Sequence, residues 1–261
     1  MVSAVLVFAH PVDEAIALGA RLARFGNALL VHITDGAPTR SADYVAHGFQ
    51  SLADYRRARW QELEIALQLA GVGGMRRERL DIPDQEASLQ LAGLTRRLAE
   101  ILRATRPQVV FTHPFEGGHP DHDACAFAVH HAAELLRAQS APIPLLIEAP
   151  FYHAGPVGIE TGTFLPSEQA AEERIYSLSQ AEQDHKKSLL DCFASQRETL
   201  AYFSTTEERY RVAPTYNFRR PAHPGSVFYD SHSWGMTSQG FCELAIEAEE
   251  ALQEEMKSAC C

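Results

Sequence analysis

The stretch VSAVLVFAHPVDEAIALGARL, residues 2–22, decides the fold of this chain. Residues 2–9 are almost wholly apolar, which is typical of a strand that is buried on both faces of a parallel sheet. The apolar run breaks at His10 and Pro11, and a helix is predicted from about residue 13 to residue 25. A buried strand that passes through a short polar turn into a helix is the opening unit of an α/β fold.

The same alternation of strand and helix continues along the chain. Strands are predicted at 28–34 (closed by a DGAP turn), 77–84, 108–114 and 144–154, and helices at 51–71, 89–105, 121–139 and 179–203. This order predicts a Rossmann-like, doubly wound, mostly parallel sheet with helices on both faces. Residues 204–233, rich in aromatics, Pro and Arg, are predicted to be an irregular loop. We expect one domain over residues 1–261, with residues from about 204 to 261 as a divergent lid or C-terminal segment.

Composition argues against several classes of partner and location. The formal net charge is −11 and the pI is about 5.5, so the chain lacks the excess of Lys and Arg that binds nucleic acid. No run of about 18 apolar residues occurs, and we expect no membrane span. The five cysteines are scattered without CxxC spacing, which favours reduced thiols in a cytoplasmic protein. They are Cys125, Cys192, Cys242, Cys260 and Cys261.

The sequence also lacks the signatures of two common kinds of α/β site. The first turn has no GxGxxG and the chain has no P-loop, which argues against a nucleotide-binding domain. No GxSxG elbow occurs either, so a serine nucleophile is disfavoured.

Polar clusters follow two of the predicted strands. His10 and Asp13 come after the first strand, and HPFEGGHPDHDA, residues 113–124, follows the strand that ends at Thr112. Open α/β sheets bind ligands at the carboxyl ends of their strands, so both clusters are expected to converge on one site. Histidine and carboxylate ligands suit a zinc-like ion, and catalytic zinc has three protein ligands and one open position. The sequence therefore predicts a divalent-metal site.

At these residues the chain resembles the LmbE-like or PIG-L family of zinc-dependent N-deacetylases. The first motif of the family, A-H-P-D-D-E, stands here as A-H-P-V-D-E at residues 9–14, and the second, H-P-D-H, is intact at residues 119–122. Shorter signatures also match: TDG at 34–36, RWQEL at 59–63, PD at 83–84 and SQ at 195–196. The resemblance spans roughly residues 3–200 and leaves the last sixty residues divergent.

The resemblance implies roles for the residues of both motifs. His10, Asp13 and His122 would hold Zn²⁺, with other divalent metals left open. His119 would stabilise the tetrahedral oxyanion or help to protonate the leaving amine. Asp121 would orient a histidine, as carboxylates commonly do beside metal ligands.

The resemblance further implies a small-molecule substrate, an N-acyl amino sugar or glycoconjugate. Arg59 would bind the sugar or its phosphate, although a solvated helix face is the alternative reading of this arginine. His113, at the end of a strand, would line the substrate pocket. The sequence leaves the oligomeric state, including a homo-oligomer, open.

Val12 is the departure from the family pattern. Relatives have at this position the aspartate that takes a proton from the attacking water, and valine has no lone pair. Positioned acid–base catalysis contributes about 10²–10⁴-fold in rate, so activity is expected to be reduced or blocked. Three alternatives stay open: a slow deacetylase that runs on the metal and His119, recruitment of Glu14, Glu116 or Asp121 as the base, and a non-catalytic metal- and sugar-binding pseudo-enzyme. The sequence does not distinguish a natural valine from an introduced one.

Overall fold

The computed structural model describes residues 3–167 and 172–259. The strands are β1 (Ala4–Phe8), β2 (Leu29–Pro38), β3 (Arg76–Asp84), β4 (Val109–Thr112), β5 (Leu145–Glu148), β6 (Tyr152–Gly155), β7 (Gly158–Thr161), β8 (Arg174–Ser177) and β9 (Glu207–Val212). The α-helices are α1 (Asp13–Leu18), α2 (Ser41–Ala46), α3 (Leu52–Leu69), α4 (Leu91–Thr105), α5 (Pro120–Ala138), α6 (Gln180–Leu190), α7 (Arg197–Leu200) and α8 (Ser238–Ala259). Short 3₁₀ helices cover Gly19–Phe25, Ala87–Gln90, Ala194–Gln196 and Phe228–Ser231.

Seven strands form the central sheet in the order β3-β2-β1-β4-β5-β9-β8. The five strands from β3 to β5 run parallel to one another, while β9 pairs antiparallel with β5 and β8 pairs antiparallel with β9. Strands β6 and β7 form a separate antiparallel hairpin. The prediction of a Rossmann-like, mostly parallel sheet is confirmed.

Helices cover both faces of the sheet because successive side chains of β1 point to opposite sides. Val5 and Val7 pack into a core with residues of α4, α5 and α8. Leu6 and Phe8 pack into a second core with residues of α1, α3 and α6. The near-continuous apolar sequence of β1 follows from this burial on both faces.

The two polar clusters meet at the point where the strand order reverses. Strand β1 pairs with β2 on one side and with β4 on the other, and both pairings are parallel. The carboxyl ends of β1 and β4 therefore lie side by side, and ligands of doubly wound sheets bind at such a switch point.

Four local predictions are wrong. The predicted strand 144–154 is two strands, β5 and β6, in different sheets, and the predicted helix 179–203 ends at Leu190, with shorter helical turns after it. The DGAP segment does not close β2, which continues to Pro38 with register shifts against β3; Gly36 takes φ 65° there, and Asp35 Oδ1 accepts the Ala37 N–H at 2.9 Å. Residues 204–233 are not all irregular, because β9 lies within them. Its inward-facing residues include Glu208 and Arg211, which are buried as ion pairs, so the strand lacks the apolar alternation that would predict it.

The C-terminal segment joins the domain rather than trailing from it. Strand β9 extends the central sheet, and α8 packs against α4 and α5. Within the described ranges, no helix is long and apolar enough to cross a membrane. Cys125, Cys192 and Cys242 are free thiols, whereas Cys260 and Cys261 lie outside the described residues.

Candidate metal centre and its cleft

The turn after β1 is closed by its own residues. The His10 N–H donates to Asp13 Oδ2 at 2.8 Å, and the Asp13 N–H donates to the His10 carbonyl at 3.1 Å. Gly36 of β2 lies against this turn, and a Cβ there would come within 2.8 Å of Pro11 Cδ. The turn thus brings His10 and Asp13 to one side.

Val12 lies at the tip of this turn in a backbone conformation that valine rarely adopts. Its φ is 146° and its ψ is −27°, outside the regions allowed to a β-branched residue. Such a conformation costs about 1–3 kcal/mol and persists only where the surroundings impose it. Val12 is 5% exposed, and it lines the cleft that also contains His10 and Asp13.

The loop after β4 is held by a larger set of hydrogen bonds. Asp123 Oδ1 accepts the N–H groups of Glu116 at 3.2 Å and Gly117 at 3.0 Å, and its Oδ2 accepts the Tyr229 hydroxyl at 3.1 Å. Gly118 admits a close approach of the β6 backbone, since a Cβ there would lie 1.9 Å from the Tyr152 carbonyl oxygen. The loop then enters α5.

The start of α5 places the second motif at the same point as the first. His119 is the N-cap of the helix, Pro120 is its first residue, and His119 Nδ1 accepts the Asp121 N–H at 3.1 Å. One turn further on, His122 faces the turn after β1. Proline suits the first helical position because an N–H group there would have no partner within the helix, so its absence costs nothing.

His10, Asp13 and His122 form a triangle of possible metal ligands, and all three are buried. His10 Nδ1 lies 3.3 Å from His122 Nε2 and 3.4 Å from Asp13 Oδ2, and the third side measures 3.7 Å. Zinc bonds of about 2.0–2.2 Å in a tetrahedron require ligand atoms about 3.3–3.6 Å apart. The donor types and their spacing therefore fit a divalent zinc-like ion.

The other nitrogen of His10 faces two carboxylates. His10 Nε2 lies 3.3 Å from Asp121 Oδ2 and 3.3 Å from Asp84 Oδ1. Asp121 is held in turn by the N–H groups of Gln85 at 2.6 Å and Ala87 at 3.0 Å. A carboxylate on the free nitrogen of a metal-binding histidine fixes the tautomer and orientation of the ring.

Burial and neighbouring charges set the ionisation of the triangle. Burial opposes ionisation of Asp13, but His122 and His10 outweigh it and hold the pKa of the carboxyl well below its usual range. Burial is the main cause that holds the pKa of His122 well below its ordinary value, and the neighbouring His113 adds to it. For His10, Asp84 and hydrogen bonds to carboxylates outweigh burial and raise the pKa well above the ordinary value. A metal bound there would displace the proton of His10, since metal ligands bind deprotonated.

A cleft of about 520 Å³ opens above the triangle. His119 lines it, with its ring 4.6 Å from that of His10 and 4.7 Å from that of Trp234. Burial and then His10 lower the pKa of His119 to about 4. Phe228, His232 and Trp234 of the C-terminal segment also line the cleft.

Arg59 and His113, the two predicted substrate contacts, have different surroundings. Arg59 is 2% exposed, lines the cleft and donates from Nη2 to the Pro11 carbonyl at 3.0 Å, which excludes a solvated helix face. His113 is 0% exposed and lies behind the triangle. Its Nε2 accepts the Ala9 N–H at 3.0 Å, and its ring stacks on His122 at 4.0 Å. His113 therefore supports the ring of His122 instead of lining the cleft.

The acids considered as replacement bases are engaged elsewhere. Glu14 pairs with His32 Nε2 at 2.9 Å in the core, and Glu116 accepts the Leu165 N–H at 2.7 Å. Burial raises the pKa of Glu116 to about 8. Neither carboxylate lines the cleft.

Asp84, part of the PD signature at 83–84, is a site residue to which the sequence analysis assigned no role. It lines the cleft, and its Oδ1 lies 3.8 Å from His119 Nε2 without an aligned hydrogen bond. Its position at the carboxyl end of β3 was the available signal, because this end of the sheet carries the site.

Comparison with known proteins confirms the family resemblance. Residues 5–133 match the PIG-L family, described as GlcNAc-PI de-N-acetylase. Two relatives, from Saccharopolyspora erythraea and Catenulispora acidiphila, are both named 1D-myo-inositol 2-acetamido-2-deoxy-alpha-D-glucopyranoside deacetylase 2. The first relative is 35% identical over 49% of this chain and 54% of its own length. The second is 30% identical over 59% of this chain and 60% of its own length. The chain thus spans less than two thirds of either relative.

The fold also matches a solved structure. The zinc-inhibited form of the teicoplanin deacetylase Orf2 superposes with a TM-score of 0.59 over 82% of this chain and 99% of that one. The sequence identity is 14%, so the likeness concerns the fold.

Proposed function

We propose, from the membership of residues 5–133 in the PIG-L family and from the geometry of the cleft, that the chain is a metal-dependent hydrolase of N-acyl amino sugars. The observation that carries the proposal is the buried triangle of His10, Asp13 and His122 at the floor of a cleft. The names of the relatives support an amide of an amino sugar as substrate.

The metal would be held by His10 Nδ1, Asp13 Oδ2 and His122 Nε2. A zinc ion bound there would lower the pKa of water and polarise the acyl carbonyl of the substrate. Three protein ligands leave one position open, as catalytic zinc requires. Asp121 and Asp84 would hold the His10 ring through its Nε2.

The remaining polar groups would act on the substrate. His119 faces the cleft beside the triangle, where its ring can stabilise the oxyanion of the attacked amide or hand a proton to the leaving amine. Arg59 lies in the same cleft and would bind oxygen atoms of the sugar or of a phosphate attached to it.

Val12 leaves this site without the base that relatives carry, which supports a slow enzyme. The turn keeps its two metal ligands, while the side chain between them is apolar. Asp84 is a carboxylate that lines the cleft, but its Oδ1 faces His10 Nε2 at 3.3 Å, so it would take up part of that role only by giving up its contact with the His10 ring.

The second candidate is a metal- and sugar-binding protein on the same fold that does not turn its ligand over. The same observation favours it, because a valine cannot accept a proton. The two candidates share the metal site and differ in amine release.

Metal analysis combined with an amine-release assay tests the proposal. The protein as isolated and after incubation with zinc is expected to bind one equivalent, and His10→Ala or His122→Ala is expected to lose it. His185→Ala, on helix α6, is the matched control and should keep full occupancy. Full zinc occupancy in both ligand variants would remove the ligand assignment.

The assay then separates the two candidates. Slow, zinc-dependent release of amine from N-acetylglucosamine conjugates supports the hydrolase. Sugar binding without release from any conjugate, at full zinc occupancy, supports the binding protein instead.

A further inference from the structure

We infer that the cleft takes amides whose acyl group is an aliphatic chain longer than acetyl. The inference rests on the proposed function, because it names the substrate class of the same site. It comes from an apolar wall beside the triangle and from the cavities that continue this wall.

The wall begins at Val12 itself. Val12 precedes α1, and Ile16 lies four residues later on the same face of that helix, so both side chains line the cleft. Phe151, Leu200 and Phe203 line it from two other segments of the chain. All five belong to or pack against the same apolar cluster. The apolar side chain in the turn is therefore part of a continuous surface.

The wall continues beyond the cleft. Leu200 and Phe203 also line a neighbouring cavity of about 340 Å³, and Ile16 and Phe203 line another of about 80 Å³. The side chain of Phe203 thus borders all three spaces. A chain that starts at the triangle and runs along this wall would reach side chains that an acetyl group would not, at the border of cavities whose linings also include charged residues such as Lys187 and Arg209.

The cleft also has polar lining residues. They include Arg59, Asp84, Gln85, Gln196 and Glu198. An amide placed over the triangle can therefore direct its sugar hydroxyls to polar residues and its acyl chain along the apolar wall. Each methylene buried in this way is expected to tighten binding by about fourfold, which the ordering of the chain reduces.

Binding and release of matched amides test the inference. N-acetyl-, N-butyryl- and N-octanoylglucosamine are titrated into the zinc-loaded protein by calorimetry, and glucosamine release from each is followed in the same protein, which keeps Val12 in the wall. We expect N-octanoylglucosamine to bind at least about tenfold more tightly than N-acetylglucosamine and to give the highest kcat/KM of the three amides. Phe203→Asp should abolish this preference, while Phe203→Leu keeps most of it. Leu89→Asp, which places the same charge on an exposed leucine elsewhere, should leave it unchanged.

The outcomes for the inference and for the proposed function are distinct. Release of glucosamine with acetyl equal to or better than octanoyl overturns the inference and leaves the hydrolase intact. Tight octanoyl binding without release from any amide supports the apolar wall and contradicts the hydrolase. A preference for octanoyl that survives in Phe203→Asp also overturns the inference, because the wall would then play no part.

Discussion

The turn after β1 and the loop after β4 are neighbours at the centre of the sheet, yet they are built in opposite ways. The loop, residues 113–119, is held by bonds from Asp123 and enters α5 through a proline at its first position. The turn is short, closes on its own residues and carries Val12 at φ 146°. The loop is stabilised by hydrogen bonds, whereas the turn contains backbone strain.

The difference separates two properties of the proposed site. Metal binding would need His10 and Asp13, which the turn presents whatever side chain stands between them. Proton transfer needs that intervening side chain, which here is apolar. The backbone of the turn is strained although a valine gains nothing from this conformation by itself.

Asp121→Asn, directly after the loop that follows β4, is the substitution expected to lower zinc affinity most. Asparagine can still accept an N–H from Gln85 or Ala87 but loses the charge beside His10 Nε2. We expect zinc affinity to fall about 10–100-fold, measured by competition with a chelator.

Asp123→Asn provides the matched control for that variant. Its carboxylate contacts two backbone N–H groups and the Tyr229 hydroxyl, all outside the ligand triangle. We expect a lower unfolding temperature with a smaller change in zinc affinity. Equal losses of zinc affinity in both variants would contradict a special role for Asp121.

A pair of substitutions at Val12 tests whether the backbone of the turn after β1 is strained. Val12→Gly and Val12→Ala both remove the isopropyl contacts, and they differ only in the Cβ. Alanine is ordinarily more stable than glycine, by about 0.5–1 kcal/mol in regular structure. At φ 146° we expect the reverse, with the glycine variant more stable by about 1 kcal/mol in urea unfolding. An alanine variant as stable as or more stable than the glycine variant would show that the turn is not strained.

The sequence predicted the parts of this molecule that follow simple periodic rules. Strand β1 is apolar throughout because both of its faces are covered, and the ends of β1 and β4 had to meet in a doubly wound sheet. The two polar clusters could therefore be placed at one site from the sequence, and the family resemblance singled out His10, Asp13 and His122 within them. Strand β9 escaped prediction because Glu208 and Arg211 are buried as ion pairs and break the apolar pattern.

Tertiary burial decided what the sequence left open. The sequence leaves Arg59 open between a substrate contact and a solvated helix face, and the structure buries it against the Pro11 carbonyl. His113 follows a strand as site residues do, yet its ring points behind the triangle. Asp84 belongs to the matched PD signature at the end of a strand rich in charged residues, but the sequence assigned it no role. Contacts between distant segments of the chain decide which polar residues at the sheet edge face the cleft.

The rate of amine release from zinc-loaded Val12→Asp, measured beside the parent protein at equal metal occupancy, tests the central claim most directly. Aspartate restores a proton acceptor between the two ligands, and we expect release from N-acyl glucosamines to rise at least about tenfold with the zinc content unchanged. Val12→Asn, which has the same shape without the charge, should stay near the parent rate. A Val12→Asp variant that binds the same zinc and is no faster than the parent on any of these amides would contradict the account.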